Sequence, residues 1–586
     1  MSHLLAISVG PVQEFIAAAR RTRDLWFGSR LLSDISRAVA QAVAANAGQL
    51  VFPESAKAAS VANVILAELT AGEPKDVVAK ARKAAQDYWK GLADAARQAA
   101  SSVIRRDMWE DQVDDVIELY AAWVPHDDPS KYADDRKALM RLLAGRKNCR
   151  DFIQGTARDV LLPKSSLDGQ RATVLDKELS GAIHRKLRVR RGEQLDVVGV
   201  VKRIGLGKDN ELFPSVSRIA ADVWIRGIEK RGGDSILKTF VDHCDSLRRD
   251  ILHRLDSSLG QFQSFPFEGT ALFRTRHHEW WEETEDAPAR ERRPEPPDWY
   301  AEFDRQLKLV EAFAAEKRIG KEPNPYLAVL VADGDRMGAA ISELGSVRDN
   351  QKFSGKLSEF ATMAQKIVND RKGILVYAGG DDVLAFLPVD QCLECARKLH
   401  DDFGKQLKQY KAQGQSPTLS VGIAVGHFLE NLEDLLEYGR AAEKAAKGVK
   451  GKDALAVHLH KRGGAPIKVC GPWNCELDKR LADFARMMNN QIIPSKLPYE
   501  LRQMATLYEH WPSTLAADAI AKDLVRLIAK KQSRSEQTVQ QAMEPYIKDM
   551  DADKLLDLAR EMLVARQFAE GMKQAGEKSR SGEAAS

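Results

Sequence analysis

Four adjacent residues, Gly379-Gly380-Asp381-Asp382, separate two apolar runs, Ile374-Leu-Val-Tyr-Ala and Val383-Leu-Ala-Phe-Leu. Apolar runs on both sides of a glycine pair predict a tight β-hairpin, because glycine accepts the positive φ angles that such a turn demands. The tip of this hairpin would carry two neighbouring carboxylates. Like charges side by side are costly unless a cation neutralises them, and carboxylate oxygens suit Mg²⁺ with its bound phosphates. A solvated Asp-Asp turn is the alternative interpretation.

A second acidic group follows an apolar run in Tyr326-Leu-Ala-Val-Leu-Val-Ala-Asp-Gly-Asp335. The length and β-branched content of this run predict a strand that ends at Asp333. Further elements are predicted in this order: a helix at about 353–370, the hairpin at 374–388, a helix at about 391–411, a strand at 418–425, a helix at about 432–447 and a strand at 454–459. The order β-α-β-β-α-β with one extra helix is that of a ferredoxin-like or palm fold. In such a sheet the first strand and the hairpin are neighbours, so Asp333 and the pair Asp381 and Asp382 are expected to converge on one metal site.

These segments resemble the palm of GGDEF nucleotide cyclases and polymerases. The matching features are strand-DGD, the AGGDD hairpin, Ser420-Val-Gly-Ile-Ala, and the run from Ala446-Lys447 to Gly451-Lys452-Asp453. The GGDD form, in a chain that also contains Ser8-Val-Gly-Pro-Val-Gln-Glu-Phe-Ile16, Thr22-Arg-Asp-Leu-Trp-Phe-Gly-Ser-Arg30 and Lys202-Arg203, resembles one family within that superfamily. This family is the large palm-domain subunit of type III CRISPR effector complexes, the Cas-ten family, in its Cmr (III-B) branch.

The resemblance implies an α+β fold with two ferredoxin-like palm domains and additional helical domains. The predicted division is 1–145 for the start of a degenerate first palm with a helical insertion, 146–235 for a degenerate zinc-module region, 236–324 for the remainder of the first palm and a linker, 325–466 for the second palm, 467–570 for a helical domain and 571–586 for a disordered tail. Residues 56–120 are Ala-rich and predicted to be helical. The first palm has Ser8-Val9-Gly10 where the second has acidic residues, so it is not expected to hold metals; a generic strand-helix unit is the alternative for this segment.

The resemblance also implies a nucleotidyltransferase, activated by target RNA, that converts ATP to cyclic oligoadenylate second messengers. Asp333, Asp381 and Asp382 would hold two Mg²⁺ or Mn²⁺ ions, assisted by the Gly334 carbonyl or by Asp335. Contacts to the nucleotide or its phosphates are expected from Gly379, Gly380, Asp335, Ser420, Lys447 and Lys452. Two alternatives stay open: AMP transfer to another small-molecule acceptor, and a non-catalytic scaffold for guide RNA and sister subunits.

The partners implied by the resemblance are ATP, guide RNA, target RNA and sister Cmr-type subunits, including a small helical subunit. Arg20, Arg23 and Arg30 form a basic run that could contact RNA or a nucleotide, and a solvated helix face explains the same run equally well. An HD nuclease domain often precedes the first palm in this family. Here the first palm is predicted to begin at residue 3, so this domain is not expected.

The composition fits a cytoplasmic protein. A formal charge of +4 from 88 basic and 84 acidic residues means that nucleic-acid binding must rest on local patches. No apolar run is long enough to cross a bilayer, no signal peptide is recognisable, and six cysteines in 586 residues do not form a disulfide framework. Only Cys149 remains where the family usually carries paired cysteines, so no structural zinc is expected. Cys392 and Cys395 are predicted to be core residues.

Overall fold

The computed structural model describes residues 2–46, 48–58, 61–149, 162–176, 179, 189, 192–205, 213–247, 252–255, 260–278, 280, 296–411, 413–531 and 538–576. Within these residues the strands form a four-stranded sheet near the amino terminus and a six-stranded sheet in the second half of the chain. Helices surround both sheets. None of the described helices combines the length and the apolar character needed to cross a membrane.

The first sheet consists of β1 (His3–Gly10), β2 (Gly48–Phe52), β3 (Val64–Leu69) and β4 (Glu118–Pro125), in the spatial order β2-β3-β1-β4. All neighbouring strands are antiparallel. The connecting helices are α1 (Gln13–Ala17) and α2 (Thr22–Ala44) before β2, and α3 (Pro74–Ala99) and α4 (Arg106–Val113) before β4. The prediction that residues 56–120 are helical was therefore wrong at β3, a buried strand that pairs with β1 along its length.

The second sheet consists of β5 (Tyr326–Asp335), β6 (Ile374–Gly379), β7 (Asp382–Pro388), β8 (Thr418–His427), β9 (Ala454–Leu459) and β10 (Ile467–Pro472). Its spatial order is β10-β9-β8-β5-β7-β6. The portion β8-β5-β7-β6 repeats the arrangement of the first sheet, and β9 extends it by pairing in parallel with β8. The predicted palm pattern and the pairing of β5 with the hairpin are confirmed. Strand β5 ends at Asp335, two residues later than predicted.

The remaining helices lie between and after these strands. They are α5 (Tyr132–Asn148), α6 (Val197–Ile204), α7 (Val216–Lys230), α8 (Asp234–Ser246), α9 (Asp298–Glu316), α10 (Met337–Ser342), α11 (Val347–Asp370), α12 (Cys392–Leu407), α13 (Leu432–Lys447), α14 (Leu477–Asn489), α15 (Leu497–Tyr508), α16 (Ser513–Ala529), α17 (Val539–Met543) and α18 (Ala552–Gln574). Residues 281–295 of the predicted linker, residues 150–161 of the predicted zinc-module region and residues 577–586 of the predicted tail lie outside the described residues.

Alternate side chains of β5 enter different cores, as the twofold period of a strand requires. Ala328, Leu330 and Ala332 join the core formed with α11 and α12, which also buries Cys392 and Cys395 as predicted. Leu327 and Val329 join the core formed with α7, α8, α9 and α13. Because Asp333 and Asp335 continue the odd-numbered series, they leave β5 on the side of α13.

Candidate active site

The β6–β7 hairpin presents the two adjacent carboxylates at its tip. Gly379 pairs with Asp382, so Gly380 and Asp381 form a two-residue loop. Gly380 has φ +73° and occupies the first loop position, which is the pattern of a type II′ turn. At Gly379 a Cβ atom would lie 2.2 Å from the Tyr377 hydroxyl oxygen, so any side chain there would force the Tyr377 ring to move. The glycine pair is therefore required both for the turn and for close packing beside it.

Strand β5 brings a third carboxylate to the tip. Ala332 pairs with Val383, which places Asp333 next to Asp382 at the ends of adjacent strands. One carboxylate oxygen from each of Asp333, Asp381 and Asp382 lies within 4.8 Å of the others, and in the described part of the chain no other group of three His, Cys, Asp or Glu residues meets this criterion. A Cβ at Gly334 would lie 2.7 Å from the Asp381 Cβ, so glycine is needed for this approach. The predicted convergence of the three carboxylates is present.

The electrostatics of the three carboxylates fit a divalent cation. Burial raises the pKa of Asp381 to about 6. Burial, with the charges of Asp381 and Glu443, raises the pKa of Asp382 to about 7. A bound cation would offset the desolvation and repulsion that cause these shifts. Three carboxylate oxygens are hard ligands of the kind that Mg²⁺ and Mn²⁺ prefer.

Helix α13 places a charged pair beside Asp333. The Lys447 ammonium forms an ion pair with Asp333 and lies 3.8 Å from Glu443, one turn earlier on the same helix. Burial and the nearby Lys452 lower the pKa of Lys447 to about 8. Lys447 was predicted at the site, and Glu443 was not. The Glu-Lys spacing of four residues was the available signal, since it places both side chains on one helix face.

Two predicted nucleotide contacts need correction. The side chains of Asp335 and Ser420 are fully buried. The Ser420 hydroxyl donates a hydrogen bond of 2.7 Å to Asp335 Oδ2. Neither side chain has surface to offer to a nucleotide, so that assignment is wrong for both residues.

The residues of the predicted basic run, Arg20, Arg23 and Arg30, lie in different environments at the start of α2 and before it. Arg20 is exposed, and Arg30 is exposed with its guanidinium 5.4 Å from the centroid of the Trp26 ring. Arg23 is 6% exposed and lies 3.4 Å from Asp24, which in turn pairs with the buried Arg203. The prediction of an RNA or nucleotide contact at Arg23 was wrong, because burial removes its side chain from the surface.

Comparison with known proteins finds two family models that match parts of the chain. Residues 326–456 match the second palm domain of Cas10/Cmr2, and residues 4–106 match the amino-terminal domain of the CRISPR-associated protein Cmr2. Two segments of the chain are therefore similar to the Cas10/Cmr2 family. The predicted resemblance to the Cmr (III-B) branch is thereby confirmed.

Relatives of known identity give the extent of the similarity. The CRISPR system Cmr subunit Cmr2 of Pyrococcus furiosus is 32% identical over 270 residues, which cover 40% of this chain and 30% of that protein. This chain thus matches less than a third of that relative's length. The fold resembles the type III-B Cmr-beta structure in its apo state, with TM-score 0.62, 13% identity and coverage of 97% of this chain and 82% of that one. Cmr-beta bound to cognate target RNA gives TM-score 0.61, 12% identity and coverage of 97% and 83%.

Proposed function

We propose that this chain is the large subunit of a type III-B CRISPR RNA-guided antiviral complex, and that its second palm is a nucleotidyltransferase. Binding of target RNA would activate the conversion of ATP to cyclic oligoadenylate. The observation that carries the proposal is the meeting of the Asp333, Asp381 and Asp382 carboxylates within 4.8 Å, beside the Lys447 ammonium. The match to the Cas10/Cmr2 second palm spans all four residues and supports the assignment.

The three carboxylates would hold two Mg²⁺ or Mn²⁺ ions, which supply acidification of a ribose 3′-hydroxyl and neutralisation of the triphosphate when bound. The protein itself holds the three carboxylates in fixed positions. Asp381 is held by the two-residue turn, Asp382 by its pairing with Gly379, and Asp333 by the register of β5. Because these positions exist before substrate arrives, little reorganisation is needed during reaction.

Lysine side chains would orient the phosphates. Lys447 is paired with Asp333, and a triphosphate entering beside Asp333 would offer its ammonium a second anionic partner. Lys452 lies close enough for its charge to depress the pKa of Lys447. Two ammonium groups that repel each other gain by sharing a polyanion, and lysine binds phosphate as a point charge. Apart from its chain neighbours, no described residue has an atom within 4 Å of the place where a Cβ of Gly380 would stand, so the hairpin tip leaves room for a nucleotide there.

The test uses the complex reconstituted with guide RNA and sister subunits. It is supplied with cognate target RNA, ATP and Mg²⁺, and the products are identified by mass spectrometry. Asp381→Ala with Asp382→Ala should reduce nucleotide product by at least about 100-fold. Assembly and target-RNA binding should be retained, because both residues lie at a hairpin tip and not in a core. The matched control is Asp87→Ala, an exposed carboxylate on α3.

The products distinguish the alternatives. Adenylylated small molecules in place of cyclic products would favour AMP transfer to another acceptor. Intact assembly without ATP turnover in the unaltered complex would favour a scaffold. Full synthesis by the double variant would show that the carboxylate cluster is not the active site.

A further inference from the structure

Asp335 is a buried carboxylate that the mechanism above does not use. Its Oδ2 atom accepts three hydrogen bonds, from Thr418 Oγ1 at 3.0 Å, Ser420 Oγ at 2.7 Å and the Asp453 main-chain N–H at 3.0 Å. Its Oδ1 atom is buried and has no hydrogen-bond partner. A buried carboxylate is tolerated only when hydrogen bonds or charges compensate its lost hydration. All the hydrogen-bonding of this carboxylate is concentrated on one oxygen.

The three donors come from two different parts of the palm. Thr418 and Ser420 belong to β8, where they pair in register with Asp335 and Asp333. The Asp453 N–H belongs to the loop 448–453, between α13 and β9. Asp335 therefore ties this loop to the strand that carries Asp333.

The loop has a backbone that needs such support. Gly451, Lys452 and Asp453 have φ values of +91°, +58° and +51°, all in the left-handed region. Two of these are not glycine, and side chains other than glycine adopt that region only when their surroundings hold them there. Arg336, the residue after Asp335, donates a hydrogen bond of 2.6 Å from Nη2 to the Gly451 carbonyl. Consecutive residues at the end of β5 thus bind the loop at two points.

Asp453 is also held by its side chain and its carbonyl group. Asp453 Oδ1 lies 2.8 Å from His400 Nε2, and the Trp473 N–H donates to the Asp453 carbonyl at 2.9 Å. The Trp473 ring nitrogen also donates to the Leu419 carbonyl of β8 at 3.0 Å. These contacts fix the carboxyl end of the loop at Asp453 but leave the Asp453 N–H to Asp335.

The loop begins directly after Lys447 and contains Lys452. Lys447 contacts Asp333, and the charge of Lys452 acts on both Lys447 and Glu443. A shift of the loop would move Lys452 and the end of α13 relative to the carboxylate cluster. The positions of Lys447 and Lys452 therefore depend on the hydrogen bond that the Asp453 N–H donates to Asp335.

We infer that Asp335 is a positioning residue, which holds the loop 448–453 so that Lys447 and Lys452 face a triphosphate bound at Asp333, Asp381 and Asp382. This inference rests on the proposed nucleotidyltransferase function. It assigns Asp335 no contact with metal or nucleotide. Asp333, two residues earlier on the same strand, is in contrast assigned as a metal ligand.

Substitution by asparagine distinguishes a positioning role of residue 335 from a role as a metal ligand or catalytic group. In Asp335→Asn, the side-chain oxygen can replace Oδ2 and accept the same three hydrogen bonds, while the amide nitrogen replaces the unpartnered Oδ1. Asp335→Ala removes all three bonds. We expect Asp335→Ala to raise KM for ATP by about 10-fold or more with a smaller change in kcat, and Asp335→Asn to recover most of that loss. Asp333→Asn should stay inactive, because a metal ligand needs its charge.

Hydrogen exchange measured by mass spectrometry on the full chain supplies a readout that does not depend on activity. Peptides covering 448–453 should exchange faster in Asp335→Ala than in the unaltered chain, and at the normal rate in Asp335→Asn. If the unaltered complex made no nucleotide product, the proposed function would fail, whereas the exchange pattern would still test the contact between Asp335 and the loop.

Two outcomes would overturn the inference. One is an Asp335→Asn variant as inactive as Asp333→Asn with normal exchange at 448–453, which would make Asp335 a ligand or catalytic group. The other is unchanged KM and unchanged exchange in Asp335→Ala. If Asp335→Ala does not fold, Thr418→Val is used in its place, because it removes one of the three donors to Asp335 with little change in side-chain size. It should raise KM for ATP and the exchange rate of 448–453. If neither value changed, the inference would also be overturned.

Discussion

Asp381 and Asp382 combine a binding function with a cost to stability. Their pKa values are raised to about 6 and about 7, chiefly by burial. A carboxyl group whose pKa is higher in the folded chain than in the unfolded chain binds more protons when folded between those two values. The free energy of unfolding of the metal-free chain therefore falls as pH rises from about 4 to about 7. A divalent cation should restore it, because it binds the ionised form.

Mg²⁺ is accordingly expected to raise the Tm of the purified chain at about pH 8 and at about pH 5.5. The rise should be larger at about pH 8, by roughly 2 °C or more. The reason is that protons compete with the cation for the two carboxylates at the lower pH. The measurement is thermal unfolding with and without Mg²⁺ at each pH. Asp381→Ala with Asp382→Ala should abolish the increment, and Asp87→Ala should keep it. An equal increment at both values of pH would contradict this explanation.

The site residues were predictable where a local motif fixes their position. Asp381 and Asp382 follow from a glycine pair between apolar runs, and Asp333 from the end of an apolar strand. Asp335 was assigned to the nucleotide because sequence spacing places it near Asp333. Its burial depends on Thr418 and Asp453, which lie 83 and 118 residues away. Long-range contacts of this kind leave no local pattern.

At the scale of elements, the hairpin and the helices of the second palm were predictable because their periodicity is strong. Helix α13 has the predicted limits, Leu432–Lys447. Strand β3 was missed because its six residues, Val64–Leu69, are followed by the Ala-rich helix α3. Burial of β3 by pairing with both β1 and β2 overrides the composition of its surroundings. Short strands of this kind are set by their partners and not by their own propensity.

Helix α11 joins the second palm to the first sheet. The Asn350 side-chain amide donates a hydrogen bond of 2.9 Å to the Tyr132 hydroxyl, and both side chains are buried. Nearby, Gln351 donates to the Leu50 carbonyl at 2.7 Å, and Ser354 Oγ accepts from the Glu54 N–H at 2.9 Å. The junction between the two sheets is therefore specific and polar.

Asn350→Ala should lower the free energy of unfolding by about 1–3 kcal/mol, because it leaves the Tyr132 hydroxyl buried without this donor. Tyr132→Phe should also destabilise the chain. The loss of unfolding free energy in the double variant should be smaller than the sum of the losses in the two single variants, by about 1 kcal/mol, since the two groups share one hydrogen bond. Denaturant unfolding of the four proteins measures this. Lys352→Ala, exposed on the same helix, is the control and should change stability by less than about 0.5 kcal/mol. Strict additivity would show that the bond does not join the two sheets in solution.

At the scale of the molecule, two sheets of the same strand order carry different chemistry. Strand β1 ends at Gly10 and β5 ends at Asp335, so Ser8 stands where Asp333 stands in the second palm. Ser8 pairs with Tyr120 of the last strand of its sheet, as Asp333 pairs with Ser420. Residues 53–63 join β2 to β3 and contain one acidic residue, Glu54, in place of the Asp pair. The duplicated architecture was predictable from the repeated strand-helix pattern, and the loss of ligands from the residue types.

The chain should therefore bind Mn²⁺ tightly at the second palm and not at the first. Titration of the purified chain with Mn²⁺, followed by electron paramagnetic resonance of the free ion, should detect up to about two tightly bound ions. Asp381→Ala with Asp382→Ala should remove them, because Asp333 alone is too few ligands for a hard cation that needs several oxygens. Ser8→Ala is the matched control at the equivalent strand position and should leave the stoichiometry unchanged. Retention of the full stoichiometry by the double variant would place the metal elsewhere. Loss of bound Mn²⁺ in Ser8→Ala would show that the first palm shares the centre, since a hydroxyl at residue 8 would then contribute to it.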